Sequence, residues 1–228
     1  MLSFIVSPCA MRSYSGKTLE CRARFPRAAT GNRYHGGVRE SEPNPWRRAS
    51  RRLAYDNAWI ELYHDEVVRP DGQPGIYGVV HFRHRAIGVV PLDTERDAVL
   101  LVGQYRYTLD RYSWEIPEGG GGFDESPEEA ARRELVEETG YGGGEWRELC
   151  RCDLSNSVTD EVAVLFVATG LEPGTPSPDG TERIDIRWVA FDDAMAMIGR
   201  GEITDAMTII ALQAVALERA RAKEKAGG

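Results

Sequence analysis

The chain has 228 residues, of which 42% are hydrophobic and 28% are charged. These proportions are ordinary for a soluble globular protein, and the length is enough for one domain with a substantial core. No apolar run approaches the ~20 residues of a membrane-spanning helix, so we expect no association with a membrane. The net charge of −8 argues against broad binding to nucleic acid.

This charge is unevenly distributed. Residues 1–52 hold 11 Lys or Arg against 3 Asp or Glu, whereas the remainder holds 17 against 33. We predict that residues 1–52 form a disordered basic extension, or that the true start lies further along, for example at Met11. A transit-like targeting peptide is an alternative. A nucleic-acid-binding arm is less favoured, because the arginine cluster at 47–52 lacks interleaved aromatic residues for base stacking.

The first predicted elements are two strands at residues 58–67 and 77–84, separated by turn-forming residues at 69–75. We therefore predict that residues 53–90 form a small N-terminal β-hairpin region. Residues 91–225 then form the main domain, in which strands and helices alternate and predict an α/β fold. Its predicted strands lie at 98–107, 113–116, 146–155, 161–169 and 184–189, and its last two helices at 192–199 and 205–223.

A helix with clear boundary signals lies between these strands. Ser126 is a favourable N-cap, Pro127 suits the first helical position, and Glu129 completes a capping box. Gly140 suits the C-terminal stop. The helix is therefore predicted to run from about Pro127 to Gly140.

One face of this helix is strongly acidic. Glu134, Glu137 and Glu138 stand at positions i, i+3 and i+4, so their carboxylates share a face and repel one another. Arg133 can offset part of this repulsion through an i,i+4 pair with Glu137. Mg²⁺ or Mn²⁺ would relieve the rest, since these ions prefer carboxylate, phosphate and water oxygens. The glycines at 119–122 let the preceding loop approach a metal or a phosphate closely.

The full spacing in this region is G-x5-E-x7-R-E-U-x-E-E-x-G-U, where U is a bulky apolar residue. Its positions are filled by Gly119, Glu125, Arg133, Glu134, Leu135, Glu137, Glu138, Gly140 and Tyr141. This pattern resembles the Nudix box of the Nudix hydrolases at every fixed position. The resemblance implies an α/β/α sandwich with a mixed sheet. It also implies metal-dependent hydrolysis of a nucleoside diphosphate linked to another group.

The same resemblance assigns metal ligands. Glu134 and Glu138 would be the main ligands, and Glu137 a further ligand or an orienting residue. Glu125 would be an auxiliary ligand, partly through water. The main-chain carbonyl of Glu118, just before the box glycine, would also bind metal.

Two further roles follow from the resemblance. Arg133 would mainly hold the glutamates in place. The general base would come from a glutamate outside the box, on a later loop. Glu182 is the first candidate for this base and Glu161 is the second.

The segments 104–107 and 114–119 resemble the strands that lead into the box of ADP-ribose and nucleoside-diphosphate-sugar pyrophosphatases. That subgroup has an N-terminal β-hairpin region and forms homodimers. The resemblance implies that Arg106 binds the pyrophosphate and that Tyr105 or Trp59 stacks on the base. Glu118 is a departure, because alanine is common at its position in the subgroup.

We therefore expect an Mg²⁺- or Mn²⁺-dependent enzyme that splits ADP-ribose or a related nucleoside diphosphate sugar into a nucleoside monophosphate and a sugar phosphate. A dinucleoside polyphosphate, an oxidised nucleotide or an RNA cap is an alternative substrate. A non-catalytic nucleotide-sensing module is another alternative. Cys150 and Cys152 lack a nearby histidine and make a poor zinc site, so we expect reduced thiols and a cytoplasmic protein.

Overall fold

The computed structural model describes residues 43–177 and 183–227. Most of the predicted basic extension and the base candidate Glu182 lie outside these residues. The described elements, in chain order, are β1 (Arg47–Asp56), β2 (Ile60–Val68), β3 (Pro74–Phe82), β4 (Arg85–Asp93), β5 (Ala98–Arg106), a 3-10 turn (Tyr107–Leu109), β6 (Arg111–Glu115), β7 (Glu118–Gly121), α1 (Pro127–Thr139), β8 (Glu145–Asp153), β9 (Val162–Thr169), β10 (Asp185–Ala190), α2 (Phe191–Arg200) and α3 (Ala206–Ala226).

The larger of two sheets is mixed. Its strand order is β10-β5-β4-β9-β8, with β6 paired to β5 and β7 paired to β4. The central pair β4 and β9 is parallel, and the other pairs are antiparallel. Pairing between β4 and β7 places Gly119 opposite Ile87. The glycine-rich start of the box is thereby joined to the centre of the sheet.

Side chains alternate between the two faces of the central strands, as a strand buried on both faces requires. In β4, Ile87 and Val89 pack towards α1, whereas Val90 and Leu92 pack towards α2 and α3. In β9, Val164, Phe166 and Ala168 share the α1 side, while Ala163, Leu165 and Val167 share the other side. The predicted α/β/α sandwich with a mixed sheet is confirmed.

The smaller sheet has the order β1-β2-β3 and is antiparallel. Its first strand begins at Arg47, whereas we predicted that the β region begins at residue 53. Residues 47–52 therefore belong to the sheet and not to an extension. An exposed edge strand tolerates such a basic run, and Arg51 anchors it with two hydrogen bonds of 2.7 Å to the buried Asp65. The hydrogen bond from Arg51 also lowers the pKa of Asp65.

A loop after β8 joins the two sheets. Tyr77 donates to the main-chain oxygen of Ser157 at 2.7 Å, and Asp160 accepts from the main-chain N–H of Phe82 at 3.2 Å. Asp160 also contacts His81 Nδ1 at 2.6 Å. The helices of the described residues include none that is long and apolar enough to cross a membrane.

Candidate active site

The predicted caps hold the start and end of α1. Ser126 accepts from the main-chain N–H of Glu129 at 3.2 Å, and the Glu129 carboxylate accepts from the N–H of Ser126 at 2.9 Å. Pro127 is the first helical residue, and Gly140 ends the helix with φ of 75°. The predicted boundaries of α1 are confirmed. They fix which side of the helix carries the glutamates.

That acidic side faces the glycine-rich strand β7. Glu138 is almost fully buried, the Glu134 side chain is 16% exposed, and the Glu137 side chain is 45% exposed. The Glu134 carboxylate lies against Gly119, where a Cβ atom would be only 2.3 Å from Glu134 Cδ. Glu138 Oε2 accepts from the main-chain N–H of Glu118 at 3.2 Å. The two predicted main ligands therefore both lie beside residues 118 and 119.

Arg133 links the acidic side chains to the loop. Its Nη1 contacts Glu134 Oε1 at 2.7 Å and Glu137 Oε2 at 3.1 Å. Its Nη2 donates to the Gly120 carbonyl at 2.9 Å and to Glu125 at 3.1 Å. Burial disfavours the charged form, but hydrogen bonds to Glu125 and Glu134 outweigh burial and raise the pKa of Arg133. The expected Arg133–Glu137 pair is present.

Glu125 is held by the loop as well as by Arg133. Its Oε1 accepts from the N–H of Gly122 at 3.0 Å. The bonds from Arg133 and Gly122 lower the pKa of Glu125 and keep it ionised. Arg85 donates to the carbonyl of Gly122 at 3.0 Å and lies 4.7 Å from the centre of the Phe123 ring. Sequence analysis missed Arg85, because nothing local connects β4 with this loop.

The donor set fits a hard divalent cation. Glu125, Glu134, Glu137 and Glu138 offer only oxygen, and three of these carboxylates share the one guanidinium of Arg133. The negative charge that remains is what a cation such as Mg²⁺ would balance. Glu118, whose main-chain carbonyl is a further predicted ligand, is the first residue of β7 and contacts Glu138 through its N–H.

A second ionic group adjoins the first. Arg106 Nε donates to both carboxylate oxygens of Glu115, at 3.0 and 2.9 Å, and Arg106 Nη2 donates to Glu118 Oε1 at 2.7 Å. Asp205, the N-cap of α3, completes a group of three carboxylates whose oxygens lie within 4.8 Å of one another. Burial, Asp205 and Glu115 raise the pKa of Glu118 well above its usual value, and Arg106 opposes this.

Sequence analysis predicted only part of this second group. It assigned Arg106 to the pyrophosphate and gave Glu118 a role through its main chain alone. Glu115 and Asp205 were not predicted, although the buried Glu115 lies in a segment that carried the family resemblance. Alternation with Trp114 in β6 would by itself place Glu115 on the opposite face from this apolar neighbour, so no local signal predicted its burial. No sequence signal connected Asp205 with this place.

The two predicted base candidates have different outcomes. Glu182 lies outside the described residues. Glu161 immediately precedes β9, where burial and the neighbouring Asp160 raise its pKa. The described chain before residue 178 is fastened to the end of α1, since Ser177 N–H donates to the main-chain oxygen of Glu137 at 2.9 Å.

The aromatic residues expected to stack on a base are both at the surface. Trp59 is 67% exposed and Tyr105 is 59% exposed. Tyr105 donates through its hydroxyl to Asp110. Neither side chain is committed to the core, so both are accessible to a ligand.

Comparisons with known proteins agree with this fold. Residues 82–208 match the NUDIX domain, and residues 46–80 match the nucleoside diphosphate sugar hydrolase N-terminal domain. The chain therefore belongs to the Nudix family, as the box predicted. The matched N-terminal segment spans most of β1 to β3.

Individual relatives are similar over most of their length. A methanol dehydrogenase activator of Bacillus methanolicus is 33% identical, over 71% of this chain and 87% of the relative. An ADP-ribose pyrophosphatase of Bacillus subtilis is 30% identical, over 73% of this chain and 90% of the relative. The crystal structure of an ADP compounds hydrolase has a TM-score of 0.71 at 20% identity, over 81% of this chain and 98% of that one. This last similarity concerns the fold.

Proposed function

We propose that this protein hydrolyses the pyrophosphate bond of ADP-ribose or a related nucleoside diphosphate sugar, with Mg²⁺ or Mn²⁺ as cofactor. The products are a nucleoside monophosphate and a sugar phosphate. The observation that carries this proposal is the placement of Glu134 and Glu138 beside residues 118 and 119. There the metal-binding side of α1 adjoins Arg106, which contacts Glu118.

The box residues have two proposed roles, metal binding and positioning of the metal ligands. Glu134 and Glu138 would hold the metal, with Glu137, Glu125 and the carbonyl of Glu118 as further ligands. The chemistry that a divalent metal would supply there is to polarise phosphoryl oxygens and to lower the pKa of a bound water. Arg133 holds the glutamate side chains in position through its four contacts.

The remaining roles fall outside the box. Arg106 offers charge-assisted hydrogen bonds to the pyrophosphate. Glu182 is the first proposed base, and Glu161 is the second. The raised pKa of Glu161 supports its candidacy, because a base needs a pKa closer to neutrality than that of an exposed glutamate. Parallel Glu182→Gln and Glu161→Gln variants separate the two, since the base variant loses turnover while it still binds substrate.

The substrate class is supported by the N-terminal segment. Residues 46–80 match a domain described as part of nucleoside diphosphate sugar hydrolases, and a relative is an ADP-ribose pyrophosphatase. The exposed Trp59 and Tyr105 are suited to stack on a nucleobase. We also propose a homodimer, and a cytoplasmic location that the free thiols of Cys150 and Cys152 support.

The test is phosphate release, coupled to alkaline phosphatase, from ADP-ribose, ADP-glucose, GDP-mannose, UDP-glucose, a dinucleoside polyphosphate and 8-oxo-dGTP. Each is assayed with Mg²⁺ and with Mn²⁺. We expect strong turnover of at least one nucleotide sugar, and a loss of at least about 100-fold in Glu138→Gln with the fold retained.

The exposed Glu128, on the same helix, provides the matched control Glu128→Gln, which should keep wild-type turnover. Preference for the polyphosphate or the oxidised nucleotide would overturn the substrate class. Tight binding of one compound without any turnover would replace the enzyme with a sensor. Unchanged turnover in Glu138→Gln would remove Glu138 from the metal site.

A further inference from the structure

Glu118 lies where the two ionic groups of the site meet. Its main-chain N–H donates to Glu138 Oε2 at 3.2 Å, and its side-chain Oε1 accepts from Arg106 Nη2 at 2.7 Å. The side chain is only 12% exposed. The residue therefore contacts a metal-binding glutamate through its backbone and the arginine through its carboxyl group.

The donors of Arg106 are unequally available. A guanidinium has five N–H donors in a planar fork. Both carboxylate oxygens of the buried Glu115 accept from Arg106 Nε. Arg106 Nη2 donates to Glu115 and to Glu118. Within residues 43–177 and 183–227, no hydrogen bond engages Nη1. The pair that remains for a ligand is therefore Nη1 with Nη2, and Glu118 occupies part of it.

A phosphate group competes for the same pair. Arginine binds phosphate best through two parallel N–H···O bonds, which add both energy and direction. To form both at Nη1 and Nη2, a phosphate must displace the Glu118 carboxyl oxygen. That oxygen accepts from Nη2 in either protonation state, so the competition does not depend on titration of Glu118.

We propose that Glu118 is a binding-site residue that limits the affinity for the diphosphate, because its carboxyl group occupies the phosphate-facing donors of Arg106 and weakens their binding to any diphosphate ligand. Binding then depends more on the nucleoside and sugar at the two ends of the substrate. Compounds that offer the diphosphate alone, such as inorganic pyrophosphate, lack these end contacts and therefore bind weakly. This inference rests on the proposed function, in which Arg106 meets the pyrophosphate.

Calorimetric titration of the full chain with inorganic pyrophosphate, at a fixed Mg²⁺ concentration, tests the competition directly. Glu118→Ala keeps the main-chain bond to Glu138, and we expect it to bind pyrophosphate about five- to tenfold more tightly than wild type. In an Arg106→Ala background, the Glu118→Ala change should increase the affinity for pyrophosphate by less than about twofold. Glu128→Ala, which removes an exposed glutamate of α1, is the matched control and should leave the affinity unchanged.

Weaker or unchanged binding in Glu118→Ala would overturn the proposal, and so would an equal gain without Arg106. Glu118→Gln keeps the size of the side chain. Its affinity for pyrophosphate should lie between the affinities of wild type and of folded Glu118→Ala. A structural disturbance predicts weaker binding in both variants.

Steady-state kinetics add a second measure. With the best nucleotide sugar, KM of Glu118→Ala should fall about fivefold, and this change should exceed any change in kcat. A fall in kcat with a raised KM would contradict the proposal. If wild type turns over no nucleotide sugar, the proposed function fails, whereas the pyrophosphate titration still decides the role of Glu118.

Discussion

Single residues of the box act mainly by placing carboxylates. Glu134 rests on the bare backbone of Gly119, and Arg133 contacts three glutamates and one carbonyl. Neither Gly119 nor Arg133 needs to touch the substrate to be essential. Changes in such supporting residues typically lower metal affinity or activity by about 10- to 100-fold.

Gly119→Ala tests this view. The new Cβ would lie 2.3 Å from Glu134 Cδ, so the carboxylate must move, but it is the flexible end of a side chain and the fold should survive. We expect Mg²⁺ affinity to fall by about tenfold or more. Gly120→Ala is the matched control, because its Cβ would meet only His84, at 3.6 Å. Metal titrations that give equal affinities for the two variants would refute the placement of Glu134.

Glu161 gives a prediction about pH. Its folded pKa is raised above the usual 4.5, first by burial and then by Asp160. A raised carboxyl pKa contributes stability that is present below the unfolded pKa and is lost as pH rises through the folded pKa. The Tm of Glu161→Gln minus the Tm of wild type should therefore increase as the pH rises from 4 to 8. A difference in Tm that stays constant or shrinks over this range would contradict the assignment.

Among the secondary-structure elements, α1 carries most of the site and depends on its caps for its start. The Ser126–Glu129 capping box sets where the helix begins, and the glutamate positions are counted from that point. Gly140 ends the helix, where a Cβ would lie 2.7 Å from Pro176 N. The helix therefore also fixes the start of the loop that leads towards Glu182.

Removal of the cap should weaken this element measurably. Ser126→Ala leaves the N–H of Glu129 without its partner, and we expect a loss of about 1 kcal/mol in the free energy of unfolding. Urea denaturation gives the value, with Ser157→Ala as a control in which an exposed serine contributes only its main chain to a described bond. A loss as large in the control would show that the cap is not responsible.

In the molecule as a whole, two sheets are joined by the loop after β8, and the smaller sheet leaves large apolar side chains uncovered. Tyr55 is 55% exposed and Ile76 is 54% exposed. The pairing register places them on the same face, because Leu62 and Glu66, their partners in β2, stand four residues apart. Such a face is costly to leave in water.

We therefore expect a homodimer at micromolar concentration. Light scattering coupled to size exclusion should give about twice the 25.4 kDa mass of one chain. Burial of apolar surface between two copies would supply the free energy. A mass equal to that of one chain at this concentration would reject the homodimer.

Much of the site could be predicted from the sequence because it is local. Capping, the shared face of Glu134, Glu137 and Glu138, and the pair between Arg133 and Glu137 all follow from helical spacing within one turn or two. The order of the predicted strands and helices likewise predicted an α/β fold, and the resemblance of the box implied the sandwich. These features need no knowledge of how distant segments meet.

Other parts required the tertiary structure. Asp205 reaches Glu115 and Glu118 only because α3 packs on the sheet, where Ile116 N–H donates to Thr208 Oγ1 across 92 positions of sequence. The arginine-rich β1 resembled an extension because its stability comes from pairing with β2 and not from its own pattern. The helix that carries the box glutamates was therefore predictable from local spacing alone. The chain fold decided what surrounds Arg106, because contacts between distant segments depend on packing and leave no local pattern.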